Sequence, residues 1–156
     1  LANALHALAR VIGGQNSGGK PWWGWGDRRD NVWSLQLNRT APLRLKVSTG
    51  VGTSTINLES LHVTSLDVNV GVGCTMLTLP EHGQLSAQID GGVGETEVTI
   101  PAGMAAKIRV RAGLGSMQIG SRYQRQGDYY LSPNYDTATN RVELTVNGGI
   151  GSITIR

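Results

Sequence analysis

A Gly-apolar-Gly triplet recurs along this chain at a fixed interval, and that interval constrains the fold more than any local propensity does. The triplets are Gly50-Val51-Gly52, Gly71-Val72-Gly73, Gly92-Val93-Gly94 and Gly113-Leu114-Gly115, each 21 residues after the last. A fifth, Gly149-Ile150-Gly151, follows after 36 residues, which is one period plus an insertion of 15. Periods of this length belong to stacks of small units, each unable to bury its own apolar face and each completed by its neighbours.

The residues around the triplets define the unit. Five and three positions before the first glycine stand Leu45 and Val47, Leu66 and Val68, Ala87 and Ile89, Ile108 and Val110, Leu144 and Val146. Polar residues such as Lys46, Asp67, Gln88, Arg109 and Thr145 alternate with them, so one strand face is core and the other is solvent. After the triplet the alternation resumes with Ile56 and Leu58, Leu77 and Leu79, Val98 and Ile100, and more briefly with Met117 and Ile119, then Ile153 and Ile155. Each period therefore reads as strand, glycine corner, strand, loose second corner. Glycine lets the corner turn tightly, and the middle residue of the triplet is expected to point inward. Cys74, just past a corner, is expected to be a small buried residue.

Twenty-two glycines, no Phe and abundant Val, Ile, Leu and Thr favour short strands over helices. The fold expected is all-β, a short β-solenoid of about five 21-residue rungs stacked about 4.8 Å apart. A β-sandwich built from hairpins would satisfy the same alternation; the exact 21-residue recurrence favours the solenoid over it. The segment WSLQL, residues 33–37, fits the second half of a preceding rung. At the start, LANALHALARVI places Leu1, Leu5, Leu8 and Ile12 at helical spacing, which predicts a short amphipathic helix. The organisation expected is a leader or cap over residues 1–32 and a β-solenoid over 33–156, with an insertion at about 120–141.

The regular copies from Leu43 to Gly115 hold no Trp or Tyr; every aromatic lies in KPWWGWGDRRDNVW or in RYQRQGDYYLSPNY. Open solenoid ends expose apolar interior and unpaired strands, so one role for these segments is to cap the stack. The other is a surface for a glycan, a lipid headgroup or a protein, formed by Trp22, Trp23, Trp25, Arg28 and Arg29 or by Tyr123, Tyr129 and Tyr130. Six glycines among residues 13–26 make a flexible link between helix and stack.

Little in the chain points to catalysis. His6, His62 and His82 have no ligand spacing, a single cysteine cannot build a zinc site or disulfide framework, and no nucleophile elbow or phosphate loop occurs. Neither a metal nor a cofactor is expected, and the chain is read as a non-enzyme. Glu95 and Glu97 alternate on a strand and read as a solvated pair. Thr78, Thr99 and Thr154 hint at an outward hydroxyl row, interrupted by Asn57 and Gln118. A formal charge of +3, scattered along the chain, gives no basis for binding nucleic acid. Asn38 opens a glycosylation sequon. The chain begins without Met and reads as a processed product or a fragment.

The segments YLSPNYDTATNRVELTVNGGIGSITI, LDVNVGVGCTMLTLP and AQIDGGVGETEVTIPAG resemble bacterial toast-rack domains and the related C-terminal domain of LiaF-type cell-wall-antibiotic-response proteins. The resemblance spans roughly residues 33–156. It implies a β-solenoid in a cell-envelope or extracellular protein, membrane association through segments upstream of Leu1, no known active site, and work done through protein contacts. The Trp-rich leader is not part of that pattern. Partners are expected to be another protein or further copies of the chain, up to a fibre, with Leu1, Leu5, Leu8, Ile12, Ile153 and Ile155 forming the assembly edge. The alternative is a glycan- or lipid-headgroup-binding module, or an enzyme accessory domain, using the Trp-rich leader and the Tyr-rich insertion.

Overall fold

The computed structural model describes residues 41–111 and 113–156. These form twelve strands: β1 (Leu43–Ser48), β2 (Val51–Asn57), β3 (Val63–Asn69), β4 (Val72–Thr78), β5 (Gln84–Asp90), β6 (Val93–Thr99), β7 (Ala105–Arg111), β8 (Leu114–Ile119), β9 (Gln124–Gln126), β10 (Tyr129–Leu131), β11 (Arg141–Asn147) and β12 (Ile150–Ile155). They make two sheets, in the orders β1-β3-β5-β11-β7-β10-β9 and β2-β4-β6-β12-β8. All pairings are parallel except those of the β9–β10 hairpin. The all-β reading and the parallel stacking of the repeat therefore hold. The expected N-terminal helix and the segment 33–37 lie outside the described residues.

Each glycine triplet joins a strand of the first sheet to a strand of the second, and equivalent residues stack in register. Leu45, Leu66, Ala87, Leu144 and Ile108 form one inward row of the first sheet. Leu77, Val98 and Ile155 belong to an inward row of the second. These rows meet in a single core, with Leu66, Val68, Leu77, Val98, Ile108, Leu144 and Ile155 almost wholly buried. Burying each such side chain contributes about 1.5–3 kcal/mol. Thr75 and Thr96 also face inward, one row nearer the corner.

At the corners the strands approach so closely that, in the four triplets after the first, both glycines are required. A Cβ built on Gly71 or Gly92 would lie closer than 3.0 Å to the carbonyl oxygen of the equivalent glycine in the neighbouring rung. The second glycine is tight in the same way and has positive φ, +133° at Gly94. A hydrogen-bond ladder runs up the corner, with the N–H of Val72, Val93, Ile150 and Leu114 each donating to a neighbouring glycine carbonyl at 3.0 Å.

Two expectations fail here. The middle residues of the triplets do not point inward: all five are exposed, and in the four triplets after the first both flanking α-carbons press against carbonyls of the adjacent rung. The last repeat is also not at the end of the stack. β11 lies between β5 and β7, and β12 between β6 and β8. The chain passes from β6 to β7 across a gap of one rung, forms β8 and the hairpin, then returns to fill the gap.

Candidate interaction surface

The outer faces of the two sheets differ in chemistry. On the first, opposite charges on adjacent strands pair: Lys46 with Asp67 at 3.2 Å, and Lys107 with Glu143 at 3.3 Å. Pairs this exposed contribute up to about 1 kcal/mol each and help fix register. Asp90 accepts from Asn147 Nδ2 at 2.7 Å and from Gln88 Nε2 at 3.0 Å. Those two bonds, the Asn147 bond foremost, hold its carboxyl below the ordinary value. The neighbouring Glu143 carboxylate raises Lys107. The polar groups of this face largely satisfy one another.

The second sheet is different where it meets the corner. Val51, Val72, Val93, Ile150 and Leu114 are neighbours in one row, 46–86% exposed, flanked by glycines that offer no side chain to cover them. Met76, 44% exposed, adds apolar surface two rows further on. Between them runs a row of Thr53, Cys74, Glu95, Ser152 and Ser116. Cys74 is thus exposed rather than buried, its sulfur 4.0 Å from Glu95 Oε2. Glu95 faces solvent, and Glu97 pairs with Arg156 at 3.2 Å. Thr78 neighbours Thr99, but Thr154 stands in another row between Glu97 and Gln118, so the three do not line up.

The insertion tyrosines are separated, not gathered into one surface. Tyr123 is buried at the end of the second sheet, where its hydroxyl bonds with Arg122 and donates to the Arg156 carbonyl at 3.4 Å. Burial pushes its phenol pKa up. Tyr130 pairs with Ile108 and packs against the core. Tyr129 lies on the outer face, its ring covered by Lys107 Nζ at 4.7 Å and by Arg109 at 5.5 Å. Tyr135 borders a polar groove of about 340 Å³ with Thr64, Gln84, Arg141 and Glu143. Burial raises its phenol as well.

Ile153 and Ile155 are buried and paired on both sides, so they form no assembly edge. Trp22, Trp23, Trp25, Arg28 and Arg29, with Leu1, Leu5, Leu8 and Ile12, lie outside the described residues. So do Asn38 and His6. Among the described residues no three His, Cys, Asp or Glu side chains are grouped to hold a metal ion, and no helix is long and apolar enough to cross a membrane.

The family model for the N-terminal domain of toast_rack, DUF2154, matches residues 11–99, more than half of the chain. The chain belongs to the toast-rack family. A solved structure shares the fold: a Clostridium sporogenes protein provisionally described as a cell adhesion protein, 27% identical, with a TM-score of 0.66. The alignment covers 76% of the toast-rack chain but 57% of the clostridial one, so the clostridial protein has a large part with no counterpart here. No curated protein matches the chain. The matched family segment contains three of the five corner residues, Val51, Val72 and Val93.

Proposed function

We propose that this toast-rack chain is a non-enzymatic domain of a bacterial cell-surface or envelope protein and works through protein contacts, with the corner row as its contact face. The observation that carries the reading is that row: five branched aliphatic side chains in register, exposed and flanked by glycines. Exposed contiguous apolar surface costs solubility and marks interaction sites. The adhesion description of the clostridial relative supports a surface role. The self-polar outer face of the first sheet leaves the corner as the surface with most to gain from a partner.

The tyrosine half of the glycan or lipid-headgroup alternative has less support, since Tyr123 and Tyr130 pack inward and only Tyr129, beside Lys107 and Arg109, lies on the outer face. The alternative would rest mainly on Trp22, Trp23, Trp25, Arg28 and Arg29.

The test replaces Val72, Val93 and Ile150 together by Thr, keeping the β-branched shape while removing apolar surface. Beads coated with the chain are mixed with one another and with bacterial envelope vesicles. The reading requires the triple variant to lose bead clustering or vesicle capture while its melting temperature stays within a few degrees. Undiminished contact by a folded variant refutes it.

A further inference from the structure

We propose that the side of β8 left unpaired among the described residues accepts one extended strand of a partner polypeptide, running parallel to β8 with a glycine opposite Gly115. This site meets the corner row at Leu114, but neither reading depends on the other.

The two sheets end at different heights. Beyond β7 the first sheet continues with β10 and β9, whereas the second stops at β8 among the described residues. The step leaves a slot two strand spacings wide, about 10 Å. Leu114 N–H donates to the Gly149 carbonyl and Gly120 N–H to that of Ile155, so the alternate residues Leu114, Ser116 and Gln118 turn their backbone groups toward β12. Gly115, Met117 and Ile119 therefore present theirs to the slot. Met117 is 39% exposed although its row partner Ile153 is buried, and Ile119 and Tyr130 are half-buried. β8 carries none of the charges or prolines that protect edge strands.

The same step decides what can enter. A second folded copy would bring both of its sheets together, and its first sheet would meet β10 and β9. Six residues of edge also fall short of the roughly 1,200–2,000 Å² buried by stable protein interfaces. A single strand fits, held by backbone bonds and by alternate apolar side chains facing Met117, Ile119 and Tyr130. The corner fixes its second residue. A Cβ on Gly73, Gly94, Gly151 or Gly115 would in each case strike the carbonyl of the preceding strand, always on the same side, while one on Gly52 meets nothing within 4 Å. A strand added beyond β8 in register would aim its Cβ at the Gly115 carbonyl. Only glycine fits there, and the expected pattern is apolar, Gly, small, apolar, polar, apolar.

The probe is a fluorescent peptide, Ile-Gly-Ser-Ile-Thr-Ile-Arg, which copies residues 150–156, titrated by anisotropy into the full chain. Its partner peptide has Ala in place of Gly. The expected result is binding at least tenfold weaker for the Ala peptide, and at least tenfold weaker for Met117→Lys. Because Met117→Lys can disturb the end of the core, hydrogen exchange supplies a second reading on the unaltered chain: the amides of Met117 and Ile119 gain protection and those of β2 do not. No binding, equal binding of the two peptides, or protection placed elsewhere overturns the proposal.

Discussion

Four glycine-to-alanine variants separate the two reasons for glycine in this fold. Gly103 is exposed, has nothing within 4 Å of a built Cβ and has no positive φ, so Gly103→Ala is expected to be neutral or to stabilise by up to about 1 kcal/mol through the unfolded chain. Gly52 has φ +133° but open space, so alanine there suffers backbone strain alone, about 1–3 kcal/mol. Gly92 is the reverse, with no positive φ but a built Cβ closer than 3.0 Å to the Gly71 carbonyl. Relieving that contact moves the rungs apart where Val93 N–H donates to Gly71 and Ile150 N–H donates to Gly92, both at 3.0 Å. Losing two such bonds costs about 1–3 kcal/mol, beyond the displacement of the rungs themselves. Gly94 combines strain and contact, for about 2–6 kcal/mol, a large share of the stability of a domain, about 5–15 kcal/mol. Urea unfolding at 25 °C, followed by circular dichroism, should rank stability Gly103→Ala, Gly52→Ala, Gly92→Ala, Gly94→Ala from highest to lowest. If Gly92→Ala costs no more than Gly103→Ala, close packing of the corners is not what demands glycine.

Ending the chain after Asn147 removes β12, which pairs with both β6 and β8, so cooperative melting in calorimetry should disappear; a truncated chain that still melts in one sharp transition would contradict the interior position. Asn147→Ala should lower stability near neutral pH by freeing Asp90, whose native pKa lies below its ordinary 3.8. A depressed carboxyl stabilises above its unfolded pKa and loses that effect as pH falls through the native one, so the melting gap between variant and wild type should narrow as pH falls below 3.8; a gap constant with pH would count against the bond. Cys74, the sole cysteine, should titrate as one reactive equivalent with a thiol reagent in the native chain, and a thiol silent until denaturant is added would mean the side chain is buried.

The alternation, the glycine corners and the shared core were legible because each follows from a period visible in residue type. Other features were not, and for distinct reasons. Apolarity at Val51, Val72 and Val93 suggested core, yet apolar character does not say which side of a corner a side chain takes; at Val72 and Val93 the flanking glycines do, once their carbonyl contacts are known. Thr75 and Thr96 read as polar while sitting inward, since the corner kink resets the alternation. Cys74 was misplaced by the same kink. On the candidate surface, the tyrosines were found in sequence but their destinations were not, because a hairpin sends Tyr129 and Tyr130 to opposite faces of the first sheet.

The order of the rungs was the deepest omission, and its cause lies in the loops. Residues 58–62, 79–83 and 100–104 are each five long between strands, although the third loop passes over a gap that the first two do not. Five residues reach either distance, so the spacing of the repeat carries no record of the jump. The insertion carries it. Tyr130 and Leu131 pair with Ile108 and Lys107, which places β10 on the far edge of β7. With that edge occupied, returning β11 cannot extend the first sheet beyond β7. The gap between β5 and β7 offers it two strands to pair with and core on both sides, where an outer position offers one. The repeat thus specifies what each rung looks like, while fifteen residues that break the repeat specify where the last rung goes.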